Sequence, residues 1–96
     1  MSSSIEKQVF YGGRVQGVGF RFGTKQIATG FDVYGWVRNL PDGRVELQVK
    51  GEAEEVAEFL LEIRERSDLA HHILEHDEID LPPGSLAGVK GFVIER

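Results

Sequence analysis

Val33-Tyr34-Gly35-Trp36-Val37-Arg38-Asn39, then Leu40-Pro41-Asp42-Gly43, then Arg44-Val45-Glu46-Leu47-Gln48-Val49-Lys50 is the stretch whose reading decides the fold. Both flanks alternate in character, the second cleanly, and Pro41, Asp42 and Gly43 supply turn chemistry between them. The pattern predicts a β-hairpin. On it Tyr34 and Trp36 fall opposite Val37 and Asn39, and packing against the core or a helix is expected for both rings in preference to stacking on a ligand.

Upstream of the hairpin, Gln8 to Arg14 reads as a strand with Val9 and Tyr11 on one face and Phe10 on the other. It ends in Gly12-Gly13, which suggests close approach of backbone to a neighbour. Phe22 to Phe31 turns helical, because Thr24, Ile27, Ala28 and Phe31 recur at helical spacing while Lys25 and Gln26 point elsewhere. Downstream of Gly51 a second helix sets Val56, Phe59, Leu60 and Ile63 on one stripe and Glu54, Glu55, Glu58, Glu62 and Glu65 on the wet side, ending near Ser67. Ala70 to Ile79 is read as a fourth strand although His71, His72 and His76 interrupt its apolar pattern. Leu81-Pro82-Pro83-Gly84-Ser85 is a loop, and Gly91 to Glu95 a short last strand. The order is β-α-β-β-α-β with one strand added, an α+β chain of the ferredoxin-like, split βαβ kind. Two helices are expected on one face of an antiparallel sheet, with residues 1–96 as a single domain.

Composition limits what such a domain does. With 96 residues, 41% hydrophobic and 28% charged, the chain has the makings of one ordinary core. It has no cysteine, hence no disulfide and no thiolate nucleophile, which points to the cytosol. Met1-Ser2-Ser3-Ser4 lacks the basic and apolar runs of a signal peptide, and no apolar stretch is long enough for a membrane anchor, so a cytoplasmic chain with no membrane partner is expected. A net charge of -5 disfavours nucleic acid. A small anion would have to be drawn by a local site.

Gly12 to Arg21, between the first strand and the first helix, is where such a site would form. Gly17 and Gly19 permit positive φ, so successive N–H groups can converge on an anion, helped by the following helix N-terminus. Arg21 stands at its mouth with paired, permanently charged donors that match two phosphate oxygens. The nucleotide P-loop is excluded: Gly12 and Gly17 have its spacing, but Val18 and Gly19 follow where it needs a lysine and a hydroxyl. The dinucleotide fingerprint fails too, since after Gly17-Val18-Gly19 the next glycine, Gly23, comes one place late and no acid ends the next strand. The alternative is a glycine-rich connection that binds nothing, which the adjacent arginine argues against.

Gly13-Arg14-Val15-Gln16-Gly17-Val18-Gly19-Phe20-Arg21 resembles the signature of the acylphosphatase family. Gly35-Trp36-Val37-Arg38-Asn39 with Asp42-Gly43-Arg44-Val45-Glu46 resembles that family's second motif, at the family's separation. The likeness is strong from Val9 through Gly51, continues as a helix pattern to Ile63 and returns faintly at Gly91-Phe92-Val93-Ile94. It implies hydrolysis of the carboxyl–phosphate bond of a small acyl phosphate to a carboxylate and inorganic phosphate. Carried over residue by residue, it implies that backbone amides of Gln16, Gly17, Val18, Gly19, Phe20 and Arg21 wrap the phosphoryl group, that the Arg21 side chain binds its oxygens, and that Asn39 orients the attacking water. No cofactor or metal is implied, and the substrate phosphate takes the proton from water. Thr24 matches a family threonine whose hydroxyl braces the loop; an ordinary first-turn threonine is the equal alternative.

Arg66-Ser67-Asp68-Leu69 stands where many family members have a Gly-Pro turn, which leaves the register of the fourth strand open. His72 and His76 would share a strand face, but no carboxylate–cysteine framework supports a metal there. The rival function is a non-catalytic ferredoxin-like module that binds an anion or regulates. An RNA-binding version would need exposed sheet aromatics with basic partners, against an acidic chain. A second rival, the acylphosphatase-like domain of larger hydrogenase-maturation proteins, lacks support because no zinc-binding Cys pairs follow. A monomer is the default expectation.

Overall fold

The alternation around the hairpin is realised as a five-stranded sheet in the computed structural model, which describes residues 3–95. The strands are β1 (Ser4–Gly13), β2 (Val33–Asn39), β3 (Val45–Glu52), β4 (Ile73–Asp80) and β5 (Phe92–Ile94), in the order β4-β1-β3-β2-β5. Helices α1 (Phe20–Ala28) and α2 (Ala53–Leu61) follow β1 and β3. Period-2 alternation sends Val9, Tyr11, Val33, Val37, Val45, Leu47 and Val49 to one face, where they are buried with Phe20 and Ala28 of α1 and Val56, Phe59 and Leu60 of α2. Removing this apolar surface from water, at roughly 25 cal/mol per Å2, is the dominant kind of favourable contribution to folding.

Among the first four strands every pairing is antiparallel, as expected. The added β5 instead runs parallel to β2, pairing Gly35–Val37 with Phe92–Ile94. That orientation follows from the 81–91 segment, which carries the chain from one edge of the sheet to the other. Glu6 accepts hydrogen bonds from the amides of Gly84 and Leu86 (both 2.6 Å), and Lys50 Nζ donates to the Leu86 carbonyl at 2.8 Å. Glu6 and Lys50 are partners on the face away from the helices, so the segment straps that face at one end. Leu86, 3% exposed, is its apolar anchor.

Several boundaries differ from the sequence expectations. β1 begins at Ser4, four residues early, because Ser4–Lys7 pair with Glu52–Val49. Helix α1 starts at Phe20, because Gly19 in the left-handed region serves as its N-cap, and it ends before Phe31. The second helix does reach Ser67, but its last turn, Glu62–Arg66, widens to π geometry with Ser67 N–H bonded to the Glu62 carbonyl at 2.8 Å. The fourth strand starts at Ile73, since Asp68–His72 form a 3-10 turn capped by the Ser67 hydroxyl. His71 and His72 therefore leave the strand, and only His76 remains on it.

Tyr34 and Trp36 do lie opposite Val37 and Asn39, but on the open face of the sheet and not against core or helix: Tyr34 is exposed and Trp36 half-buried. Arg38 stacks on Trp36 (5.2 Å to the ring centroid) and Arg44 on Phe10 (4.8 Å). The open face thus has aromatics with basic partners, but its arginines are already engaged, Arg38 with Glu46 and Arg44 with Asp42 (both 2.8 Å). No helix among the described residues is long and apolar enough to cross a membrane.

Candidate active site

Both β1 and β2 are antiparallel to β3, so they run the same way, and β5 runs with β2. Their carboxyl ends, Gly13, Asn39 and Ile94, therefore meet at one end of the sheet. Across it Tyr11, Val45 and Asn39 form a single row, and the chain leaving β1 passes over the start of β3 toward Asn39. A bulge at Gly12/Gly13 turns it there, with Gly13 so close to the start of β4 that a Cβ would sit 2.5 Å from the carbonyl of His72, just before it, and 2.8 Å from the Leu74 amide nitrogen. The close approach expected of this Gly-Gly pair is present.

The loop of residues 14–19 ends in the N-terminus of α1. Gly17 and Gly19 have φ of 76° and 78°, and a Cβ at either would meet nothing within 4 Å. Backbone conformation, not lack of room, is what requires glycine. None of the amides of residues 16–22 donates to a backbone acceptor, and α1 has no side-chain cap and no acid in its first turn. These are the unsatisfied donors, at the positive end of a helix dipole, that suit an anion.

A cleft of about 650 Å3 opens over this N-terminus, lined by Gly17, Gly19, Arg21 and Asn39 together with Val15, Phe20, Phe22 and Ile94. Arg21 is half-buried and makes no ion pair or hydrogen bond among the described residues. Asn39 has its side-chain oxygen buried without any partner. Among the described residues neither a carboxylate nor an imidazole lines the cleft.

Of the residues singled out from sequence, Gly17, Gly19, Phe20, Arg21 and Asn39 come together at the cleft; Gln16 and Val18 do not line it. The Phe20 ring is buried against Tyr11, 5.2 Å between centroids, so this residue offers only its backbone. Gln16 does something the sequence did not reveal: its Nε2 donates to the carbonyls of Leu40 (2.7 Å) and Arg44 (2.9 Å). One side chain thereby clamps the loop to the hairpin turn just beyond Asn39. A polar residue in a glycine loop carries no signal of so distant a partner. The buried Thr24 hydroxyl donates to the Phe20 carbonyl at 2.8 Å, closing the first turn of α1 under the loop. Cleft-lining Phe22 and Ile94 were also missed, the first because exposed helix residues look alike in sequence, the second because it depends on the parallel β5.

A helix N-terminus with open amides, flanked by an unengaged guanidinium and an unengaged carboxamide, gives this α+β domain a cleft whose donors suit an anion. The comparisons with known proteins narrow this class. The acylphosphatase family model matches residues 7–94. Acylphosphatase of Rubrobacter xylanophilus is 44% identical over 87 residues, which cover 91% of this chain and 76% of that one. The crystal structure of acylphosphatase from Bacillus subtilis superimposes with a TM-score of 0.83 at 29% identity, covering 96% of this chain and 99% of that one. Full-length HypF in its phosphate- and nucleotide-bound form matches all of this chain over 12% of its own length, with a TM-score of 0.82 at 25% identity. The chain belongs to the acylphosphatase family, and it is a hydrolase of acyl phosphates.

Proposed function

We propose that the cleft hydrolyses small acyl phosphates by direct attack of water, with Arg21 and the loop amides holding the phosphoryl group and Asn39 orienting the nucleophile. The observation that carries this reading is the pairing of the orphaned Asn39 oxygen with the unengaged Arg21 over one helix N-terminus. A buried acceptor without a partner costs roughly 1–3 kcal/mol, a cost that a bound water donating to it removes. Arg21 supplies two parallel charge-assisted donors to phosphoryl oxygens. The amides of Gly17, Gly19 and Arg21 stabilise charge on the equatorial oxygens as the carboxylate leaves.

No side chain in the cleft acts as general base, and the reading needs none. The carboxylate is a good leaving group, and a phosphoryl oxygen takes the proton that water loses. Catalysis then consists of positioning and fixed electrostatics. The product carboxylate and inorganic phosphate leave, the phosphate holding to the same donors and acting as a competitive inhibitor.

The test is hydrolysis of benzoyl phosphate in the presence of a metal chelator, with the unmodified chain, Arg21→Gln and Asn39→Ala. Turnover by the unmodified chain that both substitutions remove supports the reading. Phosphate binding without turnover would instead identify a non-catalytic anion-binding module.

A further inference from the structure

Phosphate recognition uses the polar half of the cleft and leaves its apolar half unexplained. Phe22 follows Arg21 in the first turn of α1 and lines the cleft while 63% exposed. Exposed apolar side chains are ordinary in themselves. Among the large exposed ones, Val18, Phe22, Tyr34, Leu74, Ile79 and Val93, Phe22 alone lines the cleft. Its ring is not needed to hold α1 in place, since Phe20, Thr24 and Ala28 are that helix's buried residues. Ile94, half-buried at the end of β5 beside Val37, adds a second apolar wall that a four-stranded sheet would lack.

Charge narrows the occupant. Among the described residues Arg21 is the one cation lining the cleft, and the phosphoryl group engages it. A second anionic group on the acyl half would therefore find no further counter-ion among the described lining residues. An uncharged apolar acyl group would cover Phe22 and Ile94 and remove both from water.

We propose that Phe22, with Ile94, forms an acyl-group subsite that makes this chain selective for acyl phosphates with an apolar, uncharged acyl group. The inference rests on the acyl phosphate reading of the cleft, and Phe22 is a specificity-determining residue within it. The ring contacts the acyl group in ground and transition states alike, so its contribution appears chiefly in KM.

The experiment compares kcat/KM for benzoyl, acetyl and succinyl phosphates in the unmodified chain, Phe22→Ala and Phe22→Lys, with inhibition by inorganic phosphate measured alongside. Both substitutions are at an exposed position, so folding is retained. Phe22→Ala is expected to lower the benzoyl-to-acetyl ratio about tenfold through KM, the scale of a modest apolar contact. Phe22→Lys is expected to shift preference toward succinyl phosphate, whose second carboxylate gains a cation. A benzoyl-to-acetyl ratio that stays the same in both variants would overturn the subsite. If the unmodified chain turns over none of the three, the hydrolytic reading falls and takes the subsite with it.

Discussion

On the open face of the sheet, Glu46 is only 3% exposed, yet its carboxylate accepts from Gln8 (2.7 Å), Gln48 (3.0 Å) and the Arg38 guanidinium (2.8 and 2.9 Å). On the helix-facing side, one strand away, the buried Asn39 oxygen has no partner and Arg21 has no counter-ion among the described residues. The same strands thus satisfy a buried charge completely on one face and leave polar groups open on the other. Buried groups are ordinarily paired. Where pairing is complete the group serves the fold, and where it is withheld beside a cleft the group is reserved for something that arrives. Glu46 is accordingly structural, although it belongs to the segment that resembles the family's second motif.

The comparison can be broken from either side. The largest effect is expected for Arg21→Gln: turnover of benzoyl phosphate falls by about a thousandfold, and inorganic phosphate no longer inhibits or protects, because charge and fork geometry vanish together. Asn39→Ala is expected to lower kcat by roughly a hundredfold while phosphate still inhibits. Its melting temperature should hold or rise, since a partnerless buried acceptor is removed; a clear drop would mean the carboxamide serves the fold after all. Gln16→Ala, which frees the loop from Leu40 and Arg44, is expected to lower kcat/KM by about tenfold and weaken phosphate inhibition, the scale of one or two hydrogen bonds at about 1 kcal/mol each.

The smallest catalytic effect is expected on the open face. Burial pushes the Glu46 carboxyl up, but its hydrogen bonds from Gln8, Gln48 and Arg38 outweigh this and hold it below its ordinary value of 4.5. A carboxyl depressed by folding stabilises the native state above its unfolded value and loses that contribution as pH falls through the folded one. Stability should therefore decline below about pH 4.5, and Glu46→Gln should flatten that decline while costing about 1 kcal/mol at neutral pH, measured by urea unfolding. Hydrolysis at neutral pH should change far less than in the other three variants.

What the sequence reveals follows the same division. The hairpin, the row of inward valines and the stripe of α2 were legible because one face of each element is buried, and burial writes a period. β4 was only partly so: apart from half-buried Ile73 it is exposed throughout, so no alternation marks its start, and the Ser67-capped turn takes Ala70, His71 and His72 out of it. Ser4–Lys7 escaped for a related reason, being exposed or half-buried residues at the start of the strand, without a fully buried position to mark a period. At the site, Arg21 and Asn39 were legible as residue types in motifs, and the glycines as backbone needs. The Gln16 clamp, spanning 24 and 28 residues, and the Ile94 wall depend on tertiary neighbours that no local pattern encodes.

The central claim is that Arg21 holds the phosphoryl group while Asn39 acts on the water. It is tested most directly by calorimetric titration of inorganic phosphate into the unmodified chain, Arg21→Gln and Asn39→Ala. Comparable affinity in the unmodified chain and Asn39→Ala, with no binding to Arg21→Gln, is the predicted result. Phosphate binding to Arg21→Gln as tight as to the unmodified chain would contradict it.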